Sequence, residues 1–204
     1  MLDLPEATAI KKMIPKTKVF EHFAATLSPR RRRAFDSEIS RLTLVHEISS
    51  HSLNLKEGKQ VSAIFVMLIN LRTKNFSARS IETAARLFKQ KLLMVLEADG
   101  CYRLAIDQNG LVMGDWTNLE DLHVTLDGLD LDQVWRSLVE QVAGIHTFPG
   151  RTLDEELALE AQKKKLEKEI GQMEKKVYNE KQFNRQVELN AVLKELRKKR
   201  DALI

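Results

Sequence analysis

The C-terminal quarter of the chain carries two apolar stripes that no single straight helix can bury together. Leu159, Leu166, Ile170, Met173 and Val177 recur at steps of three, four or seven residues, the spacing that places side chains on one helical face. Continued by threes and fours, that stripe reaches Glu180, Asn184, Val187, Ala191, Lys194 and Lys198, most of which are polar. A second stripe opens at Leu189 and runs through Leu193, Leu196 and Leu203. An unbroken rod would leave one stripe in water, whereas a reversal lets the two cover each other as an antiparallel pair.

The pattern therefore predicts helices over 153–178 and 185–203. Asn179 is expected in a left-handed conformation at the end of the first. Asn184 is expected to cap the second, with Phe183 as an apolar plug beneath the turn. Leu166, Ile170, Met173, Val177, Phe183, Asn184, Leu189, Leu193 and Leu196 are then the residues that form the hairpin and offer a partner its surface. The outer face is charged, with Lys163 to Lys165 and Arg197 to Arg200 as its densest runs. Such an arm suits docking of a partner; the rival use is dimerisation, with arms from two chains forming a four-helix bundle.

Residues 1–148 read differently. Phe20, Phe23 and Leu27 suggest a helix over 17–27, and Ser28-Pro29 an N-cap and first-turn proline for another over 30–41. Leu42, Leu44, His46 and Ile48 alternate as one face of a strand, and VSAIFVMLINLR (61–72), apolar on both faces, reads as a central buried strand. A helix over 78–90 follows, then runs at 92–98, 101–106 and 111–117 separated by Asp99-Gly100 and Asn109-Gly110, both hairpin signals. A short strand near 122–126 and a helix over 131–143 close the domain. The result is an α+β fold: a mixed or antiparallel sheet with packed helices, a linker at 149–152, and the helical hairpin over 153–204.

Composition limits the chemistry. No apolar run approaches the roughly 20 residues of a membrane span, the N-terminus lacks the pattern of a secretory signal, and Cys101 has no partner cysteine; a reducing cytoplasm is expected. There is no phosphate-binding glycine loop, nucleophile elbow or dinucleotide fingerprint. The five histidines have no metal-ligand spacing, so no catalytic residue, metal or cofactor is assigned. Net charge is uneven: residues 1–110 hold 18 Lys/Arg against 11 Asp/Glu, while 111–150 hold one against seven. Lys11, Lys12, Lys16, Lys18 and Arg30 to Arg33 make a basic N-terminal region suited to weak, salt-dependent phosphate contact. The four arginines occupy a first helical turn, where the helix dipole opposes them. A metal-dependent nuclease built on Glu47, Glu97 and Asp99 is an alternative, although the strand over 61–72 supplies no acid.

The segments IKKMIPKTKVFEHF, AFDSEISRLTLVHEIS and EKQFNRQVELN are similar to the opening pattern and hairpin motif of a bacterial and archaeal family of unknown function, and the resemblance spans nearly the whole chain. His46 departs from it where a strand aromatic or a lysine-containing segment is common, and Leu68-Ile69-Asn70 where the strand end is more acidic. Members of that family are encoded beside superfamily-2 helicases and DNA methyltransferases, in islands resembling restriction or anti-phage systems. The resemblance implies a non-catalytic accessory subunit that docks a helicase or methyltransferase and touches DNA. A degenerate nuclease and a homodimeric structural protein are the alternatives.

Overall fold

The doubly apolar run becomes the third strand of a six-stranded mixed sheet in the computed structural model, which describes residues 2–147 and 151–203. The strands are β1 (Ala9–Met13), β2 (Ile39–Ser49), β3 (Ala63–Leu71), β4 (Lys91–Ala98), β5 (Cys101–Asp107) and β6 (Leu111–Met113), arranged in chain order. All neighbours are antiparallel except β3 and β4, which run parallel and are joined through helix α3 (Ala78–Ala85). Parallel neighbours need a crossover, and α3 supplies it.

Burial on both faces explains the composition of β3. Met67 and Ile69 share one core with Leu42 and Leu44 of β2, Leu92, Met94 and Leu96 of β4, Val19 of α1 (Lys16–His22), Phe35 of α2 (Pro29–Glu38), and Ile81, Ala84 and Ala85 of α3. The alternate residues Ile64, Val66, Leu93, Val95 and Ile106 are equally buried and so lie on the opposite face. There α4 (Leu131–Ala143), which buries Leu131, Val134, Trp135, Leu138, Val139 and Val142, packs against β3, β5 and β6.

Several boundaries differ from the sequence reading. β1 was not expected, because the apolar residues of AIKKM do not alternate and two adjacent lysines interrupt them; it is an edge strand with one partner and little to bury. Leu42, Leu44, His46 and Ile48 do not share a face. The ladder shifts register between Leu44 and His46, so His46 and Ile48 pair with Val66 and Ile64, and this bulge turns them to the side of the sheet away from Leu42 and Leu44. The expected strand over 122–126 is only a single bridge from His123 to Leu2, after a 3-10 turn at Leu119–Asp121. The helices expected to reach 27 and 90 stop at His22 and Ala85. The Asp99-Gly100 turn behaves as its residues require: both adopt positive φ, 52° and 73°, and Ala98 pairs with Cys101 across a two-residue loop.

The chain divides into two compact units, Met1–Gly144 and Ile145–Ile204. Pro149 and Gly150 of the expected linker lie outside the described residues. The second unit is the predicted helical hairpin, α5 (Leu153–Asn179) and α6 (Phe183–Asp201). Thr152 and Glu155 open α5 with a reciprocal capping box. Ile170 and Leu193 are the most deeply buried apolar residues of the pair, at 5% and 6% exposure. Leu166, Met173, Val177, Leu189 and Leu196 are half-buried along the same seams, and Arg197 of α6 donates to Glu174 of α5 at 2.7 Å. Among the described residues no helix is long and apolar enough to cross a membrane.

The reversal itself is built differently from expectation. Asn179 is the last helical residue rather than a left-handed cap, and Glu180 takes an extended conformation (φ −76°, ψ 128°). Asn184 lies inside α6, whose N-cap is Gln182. Phe183 plugs nothing: it is 76% exposed. Glu180 orders the turn instead, its carboxylate accepting the backbone N–H groups of Lys181 and Gln182 at 2.9 and 3.0 Å. Gln186 Nε2 then donates to the carbonyl of Val177 at 3.2 Å, satisfying one of the orphan acceptors of α5.

Candidate functional site

Two helices of the first unit begin with the same local sequence logic. Ser28-Pro29-Arg30-Arg31 opens α2 and Ser77-Ala78-Arg79-Ser80 opens α3. In each, a serine takes the N-cap position and an arginine follows two residues later. The packing of α2 against α3 places both starts on one cleft of about 460 Å³, lined by Ser28, Arg30, Arg31, Ser77, Arg79 and Thr83 among others. Ser28 accepts the backbone N–H of Arg31, and Ser77 makes no side-chain capping bond. Helix N-termini present unpaired N–H groups and a positive dipole end. Arg30, Arg31 and Arg79 thus line a cleft where the helix starts already favour an anion, a setting suited to phosphate or carboxylate. Glu38 reaches the start of α3, its Oε2 accepting the N–H of Ser77 at 3.1 Å.

The eight basic residues expected from the sequence do not form one patch. Arg30 and Arg31 line this cleft. Arg32 turns the other way and stacks on Phe20, 4.5 Å from the ring centroid, while Arg33 is exposed. Lys16 is taken up by Asp36, donating to its carboxylate at 2.7 Å and its carbonyl at 3.1 Å. Its side chain is only 20% exposed, and its ammonium holds the Asp36 carboxyl below the ordinary carboxylate range. Lys18 is exposed on α1, and Lys12 on the edge strand β1. Lys11 belongs to a separate depression of about 570 Å³ with Arg41, Thr43, Val45 and Asn70. Arg79 was not singled out in the sequence, although its Ser-x-Arg repeat of the Ser28 motif was legible there.

The acids of the nuclease alternative do not meet. Glu97 pairs with Asn70 across β3 and β4, and accepts from its side-chain amide at 2.8 Å. Glu47 pairs with Phe65, five positions along β3 and so about 16 Å away. Asp99 sits in the left-handed turn. Among the described residues no three His, Cys, Asp or Glu side chains converge as a metal-binding group. His46 has a structural partner: the Thr8 hydroxyl donates to the carbonyl of Pro5 at 2.7 Å and lies 2.9 Å from His46 Nδ1, which makes that nitrogen the donor. Desolvation lowers the pKa of the ring. The tryptophans are likewise engaged. Trp135 is buried in α4 and donates to Gln108 at 3.0 Å, and Trp116 packs on the core beneath Lys74 and Arg103.

Comparison with curated proteins and with solved structures gave no match. A family model does match, over residues 2–199, so that the sheet, the basic cleft, α5 and nearly all of α6 fall within it: the chain belongs to the family described as Domain of unknown function (DUF4391).

Proposed function

We propose that this protein is a non-catalytic accessory subunit of a DNA-directed bacterial defence system. It docks a helicase or DNA methyltransferase through the α5–α6 hairpin and holds nucleic-acid backbone weakly in the α2–α3 cleft. The observation that carries the DNA half is the convergence of Arg30, Arg31 and Arg79 with two helix starts on one cleft. Serines, a threonine, alanine and arginines line it, and binding through phosphate alone is sequence-independent. The defence setting and the identity of the partner rest on the family resemblance, and the long arm with its charged outer face supports docking over chemistry.

The test is duplex binding measured against salt. Arg30→Glu, Arg31→Glu and Arg79→Glu combined should weaken binding and flatten the slope of log affinity against log salt by about 0.9 for each phosphate no longer neutralised. Unchanged affinity and slope would refute the cleft assignment. The docking half is tested by pull-down from cells carrying the neighbouring genes. A chain ending at residue 144 should lose the helicase or methyltransferase, and retention of that partner would take the docking role away from the hairpin.

A further inference from the structure

The tip of the hairpin has features that packing does not explain. Tyr178 and Phe183 are the only aromatic residues between 151 and 204. They flank the turn and are 88% and 76% exposed, and Val187, one turn beyond Phe183 on the same face of α6, is 53% exposed. Apolar rings are depleted from solvated helical surfaces, and two of them exposed on either side of one turn point to a binding surface. Charge concentrates at the same place. Residues 175–185 hold Lys175, Lys176, Lys181 and Arg185 against Glu180 alone, a net +3, while the rest of 151–204 balances to zero. Glu180 is consumed by the turn and by Arg185, at 3.5 Å. The three lysines have no carboxylate within ion-pair distance among the described residues, and a cleft of about 470 Å³ opens beside Lys175, Lys176 and Arg185.

We propose that this tip binds single-stranded nucleic acid, with bases stacked on Tyr178 and Phe183 and phosphates held by Lys175, Lys176 and Lys181. An apolar protein groove would accept the rings but would have to desolvate three unpaired ammonium groups. Duplex DNA offers phosphates but keeps its bases stacked away from the rings. An unpaired strand alone supplies both an anionic backbone and free π-faces, the pairing that sequence-tolerant single-strand sites use. The inference is independent of the α2–α3 cleft, which lies in the other unit and carries no exposed ring.

The experiment uses the full chain, with a labelled 20-nucleotide single strand and the corresponding duplex followed by anisotropy. Tyr178→Ala and Phe183→Ala should each weaken single-strand binding about fivefold or more and leave duplex binding unchanged. Arg30→Glu with Arg79→Glu should do the reverse. Replacing the three lysines by alanine should reduce the single-strand salt slope by about 0.7 for each lysine–phosphate pair removed. Phe183→Trp guards against misfolding, since it should retain affinity and add fluorescence that quenches as the strand binds. Equal single-strand affinity of the ring variants, or no quenching at Trp substitution, overturns the proposal. So does an unmodified chain that runs as a dimer in solution and falls to a monomer on Phe183→Ala, which would make the tip an interface between copies.

Discussion

Asp132 shows how one carboxylate can fix a junction that no periodicity announces. It lies in the first turn of α4 and accepts backbone N–H groups from Lys59, Gln60 and Val61, at 2.7, 3.1 and 2.8 Å. These bonds tie the loop before β3 to a helix more than 70 residues later in the chain. Burial pushes the Asp132 carboxyl up, but the three N–H donors together outweigh it and hold its pKa below the ordinary value. A depressed folded-state pKa adds stability that is present above the unfolded value and is lost as pH falls through the folded one. Asp132→Asn should therefore cost about 1 kcal/mol at neutral pH, with the gap to wild type closing in acid below pH 4. Urea midpoints at pH 7 and pH 3 check this, and a constant gap would show that the charge is not what matters. Gly58 belongs to the same junction, since a Cβ there would lie 2.2 Å from Asp132 Oδ1. Gly58→Ala should destabilise by about 1–3 kcal/mol, read from the same urea curves.

The elements that could be located from sequence are those whose apolar pattern has one unambiguous period. α4 spans Leu131–Ala143 as its spacing implies, and the two hairpin seams bury Ile170 and Leu193 where the phase break required. The failures share a cause: each depends on a neighbouring element that the local sequence does not reveal. β1 is recruited by β2 through backbone bonds and its apolar residues show no strand alternation. The bulge after Leu44 interrupts an alternation that looked uniform, because an extra residue in a ladder leaves no mark on composition. At the tip, Phe183 resembled a plug because apolar residues near turns usually pack; its exposure depends on where Glu180 ends α5. The two readings of the seam separate by mutation. Leu193→Ala should cost the hairpin about 2 kcal/mol, as large-to-small changes at buried positions do. Phe183→Ala should change stability by no more than about 0.5 kcal/mol, the range for exposed sites. Helicity at 222 nm through a thermal ramp measures both, and a large loss on Phe183→Ala would restore the plug.

At the scale of the whole molecule, the candidate site was half legible. The SPRR motif marked Arg30 and Arg31, but only tertiary packing of α2 on α3 brings Arg79 to them, and only the fold shows that Asp36 and Phe20 engage Lys16 and Arg32. The two units also differ in how they are held. The first has a sheet buried on both faces, with Ile64, Met67, Leu93 and Met94 fully inaccessible. The second has one narrow seam in which the described apolar residues are mostly half-exposed. Burial per residue sets the free energy of local opening, so the two should open separately rather than as one cooperative body. Hydrogen exchange of the full chain should show β3 and β4 amides exchanging slowest, with α5 and α6 exchanging together through a lower-energy opening that low urea accelerates. If amides in 174–194 prove as protected as those in 66–67 and 93–96, the hairpin is held by more than its own seam. A partner that docks on the arm would supply that missing burial. The protection of α5 and α6 should then rise when the partner is added, while β3 and β4 stay as they were.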